Sequence, residues 1–303
     1  MRTLRSLLLP LLVLALGAPP ARAALDILAT VPEWAALAQA LGGEHVRVYS
    51  ATHALQDPHR IEAKPSLIAR ARSARLVVAT GAELEVGWLP VVLRESGNAR
   101  IQPGQPGYFE AAAQVRLLEV PVVLDRAHGD VHAAGNPHVQ TDPRNLLPIG
   151  EALAARMAEL DPAHAGAYRD NQRRFAERLR ASLAEWERIA APLRGVPVLV
   201  QHRAFPYLQA WLGLREVGAL EAKPGVEPGS AHLAGIVARQ AAQPARMVLR
   251  AAYQNDGPSR WIAERTGMPA VVLPFTVGGT PEATDLFALY GDTVRRLRQA
   301  LGE

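Results

Sequence analysis

The chain has 303 residues, 49% of them hydrophobic, and a formal net charge of only +4. This composition is typical of a globular protein and excludes a disordered one. Arginines are scattered among acidic residues, with no basic run interleaved with aromatics, so no nucleic-acid surface is predicted. The sequence has no cysteine, which excludes disulfides, thiolate metal sites and a lipid-modified N-terminal cysteine.

Residues 1–23 have the order of a secretory signal peptide. Arg2 and Arg5 precede an apolar run at 6–16, and small residues around Ala23 offer a cleavage site. A membrane anchor is the alternative, but the run is too short to span a bilayer and Gly17 follows it. We therefore expect a periplasmic protein, cleaved near Ala23 and not membrane-anchored.

Residues 24–143 alternate short apolar runs with amphipathic stretches. The pattern predicts strands at 25–29, 46–49 and 76–79, and helices at 32–40 and 85–95. Strands that alternate with helices indicate an α/β domain with a mostly parallel sheet. We expect this segment to form an N-terminal lobe.

Residues 144–194 are predicted to be a helical linker region. Asp161 and Pro162 form a typical helix start, with a capping carboxylate and a proline in the first turn. Seven apolar residues then recur at helical spacing: Tyr168, Phe175, Leu179, Leu183, Trp186, Ile189 and Leu193. One helix over 162–193 would be about 48 Å long, enough to join two lobes. The alternative is an ordinary core helix of one large domain.

Residues 195–303 repeat the alternation and are predicted to form a C-terminal lobe. Strands are expected at 196–200, 247–249 and 271–273, and helices at 232–240, 261–266 and 286–301. The fold class predicted for the whole chain is α/β, with two Rossmann-like lobes joined by one long linker helix.

Three histidines stand where parallel sheets place their ligands. His59 and His138 each follow a proline in a turn, and His202 directly follows a predicted strand. Neutral imidazole suits zinc, and three imidazoles match a zinc site with an open or variable fourth position. The three residues are far apart in sequence, so only folding can bring them together.

The motifs around these histidines carry a resemblance to a known family. They are DPHRIEAKPS at 57–66, GAELE at 81–85 with Trp88, NPHVQTDP at 136–143, HRAFPY at 202–207 and GVEPGS at 225–230. The chain resembles the periplasmic zinc and manganese substrate-binding proteins of bacterial ABC importers (cluster A-I). The resemblance implies that His59, His138 and His202 bind Zn²⁺ in a cleft between the lobes. It also implies a monomeric, non-enzymatic protein that delivers zinc to a membrane permease with a cytoplasmic ATPase.

The sequence departs from the family pattern at two places. The family's fourth ligand is usually an Asp after the last strand, but residues 273–280 read LPFTVGGT. Water, Glu62 and Asp285 remain alternatives, and Asp285 is also expected to start or cap the last helix. The histidine-rich loop of many zinc members is reduced to HGDVH at 128–132, which is either a small zinc-collecting loop or a plain exposed turn.

Two questions of function stay open at this level. Manganese prefers oxygen ligands, so three imidazoles favour zinc over manganese, although copper and nickel also bind imidazole. A zinc hydrolase is a rival interpretation, with Glu62 as its candidate general base. A periplasmic zinc chaperone that serves no importer is another.

Overall fold

A computed structural model describes residues 24–121 and 132–302. The predicted signal peptide lies outside the described residues, as do His128 and Asp130 of the histidine-containing segment. Across 24–121 and 132–302, no helix has both the length and the apolar character needed to cross a membrane.

The N-terminal sheet consists of four parallel strands in the order β2-β1-β3-β4. Strands and helices alternate in this lobe, with α2 added to the predicted elements: β1 (Leu25–Ala29), α1 (Pro32–Gly42), β2 (Val46–Ser50), α2 (Pro65–Ser73), β3 (Leu76–Ala79), α3 (Leu89–Ser96) and β4 (Tyr108–Glu110). Every residue of β3 is buried, as expected for a central strand covered on both faces. Strand β4 is absent from the sequence prediction because an edge strand of three residues leaves no readable period.

Helix α3 begins four residues later than the predicted helix at 85–95. The segment before it is a series of turns, in which Ala82 and Glu83 have φ of 47° and 67°. The buried carboxylate of Glu85 stabilises these turns, since it accepts hydrogen bonds from the Thr30 hydroxyl and the backbone nitrogens of Thr80 and Gly81. These tertiary bonds overrode the local helical pattern.

The helical region comprises α4 (Leu146–Leu160) and α5 (Ala165–Ala190), and α5 is flanked by 3₁₀ turns at Pro162–His164 and Ala191–Leu193. The α5 helix alone is about 39 Å long. Its predicted apolar stripe is buried except at Ile189, which is half-buried, and the helix packs against α1, α4 and the last helix of the chain. The long linker helix is thus present, with tighter turns at both ends.

Asp161 does not cap this helix as predicted. No backbone nitrogen of the following turn donates to its side chain. Its Oδ2 instead accepts the Tyr168 hydroxyl at 2.7 Å and lies 2.7 Å from Nδ1 of His164. The carboxylate therefore links the 3₁₀ turn at Pro162–His164 to the first turn of α5.

The C-terminal sheet repeats the strand order of the first, β6-β5-β7-β8, again fully parallel. Its elements are β5 (Pro197–Val200), α6 (Pro206–Leu212), β6 (Arg215–Ala219), α7 (Ser230–Arg239), β7 (Met247–Ala251), α8 (Gly257–Thr266), β8 (Ala270–Leu273) and α9 (Leu286–Ala300). Asp285 caps α9 as expected, because its Oδ1 accepts the backbone nitrogen of Ala288 at 2.7 Å. The lobe boundaries at 143/144 and 194/195 stay a prediction.

The two lobes share one hydrophobic core. A single buried cluster includes Trp34 of α1, Phe175 and Trp186 of α5, and Trp211 and Leu289 beyond them. Polar contacts also cross between the lobes. The Tyr290 hydroxyl donates to the backbone oxygen of Gln140, and the Thr276 hydroxyl donates to the buried carboxyl of Glu33.

The Glu33–Thr276 contact leads to a pH-dependent prediction. Burial raises the pKa of Glu33 from 4.5 to about 7, against the opposing hydrogen bond from Thr276, and the neighbouring Glu85 adds to the rise. The folded state therefore favours the neutral carboxyl. The contribution of the Glu33 carboxyl to the stability of the fold is complete below about pH 4.5 and is lost as the pH rises through about 7.

We expect Glu33→Gln to remove this loss, since glutamine stays neutral and can still accept from Thr276. Relative to wild type, the variant should gain up to about 3 kcal/mol in unfolding free energy between pH 4.5 and 8. Urea titrations in metal-free buffer across that range measure the difference. The exposed Glu95→Gln is the control, and a constant offset between Glu33→Gln and wild type would contradict the prediction.

Candidate metal centre

Two of the three predicted ligands lie in turns of the same design. In Asp57-Pro58-His59, Oδ1 of Asp57 accepts the backbone nitrogen of His59 at 3.0 Å and lies 2.8 Å from its ring Nδ1. In Asn136-Pro137-His138, Oδ1 of Asn136 makes the same two contacts with His138, at 3.1 and 2.8 Å. Each histidine is therefore held by the short side chain two residues before it, with its Nδ1 engaged.

His202 is held differently, by a residue of the neighbouring strand connection. It lies two residues after the end of β5, and its Nδ1 lies 2.7 Å from Oε2 of Glu221, which follows β6. The same carboxylate oxygen accepts the backbone nitrogen of Gly225 at 2.8 Å. Glu221 is thus fixed at the carboxyl edge of the parallel sheet, where α/β proteins bind ligands.

The structure brings His59, His138 and His202 together. One potential ligand atom from each lies within 4.8 Å of the others, and the ring centroids are 5.3 to 5.9 Å apart. Because Nδ1 of each ring is engaged, Nε2 is the atom left for a ligand. Nε2 of His59 and Nε2 of His138 are buried with no hydrogen-bond partner among the described residues. Unsatisfied buried nitrogens are costly unless something binds them.

The surroundings of His138 favour its neutral form. Burial, followed by the proximity of His59, His202 and His132, lowers the pKa of His138 well below its ordinary value. Burial disfavours ionisation of Asp57, but its hydrogen bond with His59 is sufficient to hold the carboxyl pKa below the usual range. A neutral ring with an anionic acceptor on Nδ1 is the arrangement that orients histidines for metal binding.

Neither candidate carboxylate reaches the three rings. Glu62 is 81% exposed and lies 4.0 Å from Lys64, and Asp285 is occupied as the cap of α9. In place of the family's usual Asp, Phe275 follows β8 with a φ of 66°. Its ring lies 5.6 Å from that of His138. An aromatic side chain, rather than a carboxylate, therefore borders the site on the side of β8.

His132 lies beside the site, so the plain exposed turn does not hold for this residue. The side chain of His132 is half-buried, and its ring centroid is 5.6 Å from that of His59. It also lines a cavity of about 280 Å³ together with His138 and His202. A second polar cavity of about 200 Å³ adjoins His59 and His202 on the side of Glu221.

Sequence reasoning missed the residues that hold the ligands. Asp57 and Asn136 were visible in the repeated Asx-Pro-His pattern, since a short polar side chain two residues before a histidine favours this turn. Glu221 gave no such signal. It is 19 residues from His202 and meets it only because β5 and β6 are paired.

Comparison with known proteins agrees with this geometry. The family model for ZnuA, zinc-uptake complex component A, periplasmic, matches residues 27–300. The chain belongs to this family. A crystal structure of ZnuA superposes with a TM-score of 0.73 at 23% identity, over 90% of this chain and 99% of that one. At this identity the likeness shows the fold, two α/β lobes, and no more.

The relatives of this chain are named for different metals. A protein of Treponema pallidum named as metal-binding is 27% identical over 75% of this chain and 70% of its own length. The zinc uptake protein ZnuA of Brucella abortus is 29% identical, but the match covers only 32% of this chain and 29% of that protein. The iron-binding protein YfeA of Yersinia pestis is 26% identical over 76% and 70%. Family membership therefore establishes a metal-binding class without specifying the metal.

The Glu221–His202 contact can be tested with a matched pair of variants. Glu221→Ala should weaken metal binding by roughly 10- to 100-fold, because residues that orient a ligand histidine typically contribute that much. Competition against a zinc chelator measures it. Glu216→Ala is the control, since Glu216 is a largely buried acid that contacts Arg203 and Gln209 rather than a ligand. Equal affinities for the two variants would contradict the role of Glu221.

Proposed function

We propose that this protein captures Zn²⁺ in the periplasm through His59, His138 and His202 and delivers it to the membrane permease of an ABC importer. The observation that carries the proposal is the convergence of three imidazoles, two of which have buried Nε2 atoms with no hydrogen-bond partner among the described residues. Membership of the ZnuA family supports the same function. The zinc is the protein's cargo.

Ligand chemistry favours zinc over manganese. Manganese prefers oxygen ligands, whereas imidazole suits zinc and other later metals. The metal-ligand group found among the described residues contains imidazoles and no carboxylate. Asp57 and Glu221, the carboxylates nearest to the rings, already face Nδ1 of His59 and His202. Copper and nickel also bind imidazole, so metal availability contributes to selectivity in the cell.

The surroundings of the site favour binding over hydrolysis. A metal hydrolase needs a general base within hydrogen-bond reach of the metal-bound water. Glu62, the candidate from sequence, is 81% exposed and lies outside the cluster. The site therefore has the ligands to hold zinc, and the residue proposed to activate water is placed elsewhere.

Both lobes supply ligands, so binding of the metal should stabilise the folded chain. His59 and His138 belong to the N-terminal part of the chain and His202 follows the first strand of the second sheet. Zinc would therefore bridge the two sheets. The shared core and the α5 helix, which packs on helices of both lobes, favour a small movement on loading rather than a wide hinge opening.

Thermal unfolding with and without zinc tests the bridging site. A ligand that binds only the folded state stabilises it by about 4 kcal/mol at a thousandfold excess over its dissociation constant. Zinc should raise the Tm of the wild type, and a chelator should reverse the rise. His138→Ala should show no zinc-dependent rise in Tm, and its affinity for zinc should be at least tenfold lower. The exposed His53→Ala should retain both, and equal behaviour of the two variants would reject the assignment.

Delivery to an importer needs a cellular test. A strain that lacks the gene should grow poorly when zinc is chelated, and the wild-type gene should restore growth while His59→Ala should not. The decisive arm is a second strain that lacks the zinc importer's permease. If the protein serves the importer, its overproduction will not improve growth there. Improved growth without the permease would favour a stand-alone zinc chaperone instead.

A further inference from the structure

The polar cavity of about 200 Å³ beside the metal centre lies at the carboxyl edge of the second sheet. In the order β6-β5-β7-β8, the strand that comes first in the chain, β5, lies between β6 and β7, so the strand order reverses at the β5–β7 pair. Parallel α/β sheets bind their ligands in the crevice at such a switch point. Gln201 follows β5, Tyr253 and Asn255 follow β7, and all three line the cavity. The cavity therefore lies where this fold places a ligand.

Both lobes and two of the three histidines contribute to the walls of this cavity. His59 and His202 line it, so a molecule inside it lies next to a zinc ion held by these rings. Arg60, which belongs to the N-terminal lobe, donates to the backbone oxygen of Gly225 in the other lobe at 3.2 Å. A cavity of about 150 Å³ is large enough to bind benzene. The cavity beside the histidines therefore has room for a small organic molecule.

The lining of the cavity offers mainly hydrogen-bond acceptors. Oε1 of the buried Gln201 has no hydrogen-bond partner among the described residues, whereas its Nε2 donates to a backbone oxygen. One cationic side chain, that of Arg60, lines the cavity together with three carboxylates, those of Asp57, Glu221 and Glu227. A buried acceptor without a partner and an excess of negative charge both favour a ligand that carries a positively charged N–H group.

The metal adds a second requirement. A tetrahedral zinc ion on three histidines leaves one position for a further donor, which in the family is usually an Asp carboxylate. In this chain Phe275 borders the site instead, and Glu62 and Asp285 are placed elsewhere. A carboxylate from outside the chain would complete the coordination of zinc. A ligand that suits both the cavity and the metal therefore carries a carboxylate and an ammonium group close together.

We propose that this cavity binds a free α-amino acid whose carboxylate fills the fourth position of the zinc ion, so that zinc is captured together with one amino acid. The inference rests on the proposed zinc capture and names the second component of its cargo. The ammonium group is accepted by Oε1 of Gln201 and lies among the carboxylates of Asp57 and Glu221. Because the amino acid is a zwitterion, it adds a ligand without changing the net charge of the site.

Equilibrium dialysis of the zinc-loaded protein against ¹⁴C-labelled alanine tests the proposal. One alanine should bind per zinc-loaded chain. Propionate is alanine without its amino group and ethylamine is alanine without its carboxylate, and each should bind at least about tenfold more weakly, because a hydrogen bond to a charged group contributes about that factor. The metal-free chain should also bind alanine at least about tenfold more weakly, since it offers no coordination position.

A substitution in the cavity wall tests the location. Gln201→Leu removes the unpartnered oxygen and should weaken alanine binding by about tenfold. Gln209→Leu is the matched control and should bind alanine as wild type does, since the side chain of Gln209 contacts Glu216 rather than the cavity. Bound alanine is expressed per bound zinc ion, so a loss of metal is not counted as a loss of the amino acid. Circular dichroism confirms that each variant is folded.

The outcomes separate this inference from the zinc site itself. A wild-type chain that holds zinc but retains no alanine, or that binds propionate as tightly as alanine, would overturn the amino-acid site and leave zinc capture intact. Equal alanine binding by Gln201→Leu and Gln209→Leu would overturn its location. Failure of the wild-type chain to hold zinc in the absence and presence of alanine would instead reject the capture site on which the inference rests.

Discussion

The metal centre depends on hydrogen bonds at one atom of each ring, Nδ1. Asp57, Asn136 and Glu221 engage that atom in His59, His138 and His202 respectively. Each bond fixes the ring orientation and leaves Nε2 as the nitrogen available to a metal. Preorganisation of this kind lowers the entropy that binding must overcome.

The shared core then fixes one part of the site relative to the other. His59 and His202 come from connections of different sheets, and their relative position depends on how those sheets pack. The buried cluster that runs from α1 through α5 to α9 holds the sheets together. Asn136 adds a local bond, since its side-chain nitrogen donates to the backbone oxygen of Arg203 beside His202. The three Nε2 atoms therefore belong to one continuous packed unit.

Much of the fold and site was accessible from sequence. The strands at 25–29 and 76–79 and the helix ending near residue 300 are apolar patterns of clear period, and His202 closely follows a strand of this kind. The predictions that failed concerned features that depend on contacts between residues far apart in the sequence. The start of α3 is set by Glu85, whose partner Thr30 is 55 residues away. Strand β6 contains Gly218 and pairs with a register shift next to Leu199, which obscures its period.

The acceptors of the Nδ1 bonds also determine the charge of the centre. Asp57 and Glu221 are carboxylates, while the equivalent acceptor for His138 is the neutral amide of Asn136. With three neutral imidazoles, the loaded site would combine two negative charges with the two positive charges of a divalent cation, and the sum is zero. A monovalent ion such as Cu⁺ would leave one negative charge uncompensated, and a trivalent ion one positive charge. Because an unbalanced charge is costly beside buried side chains such as His138, the amide at position 136 favours ions of charge two.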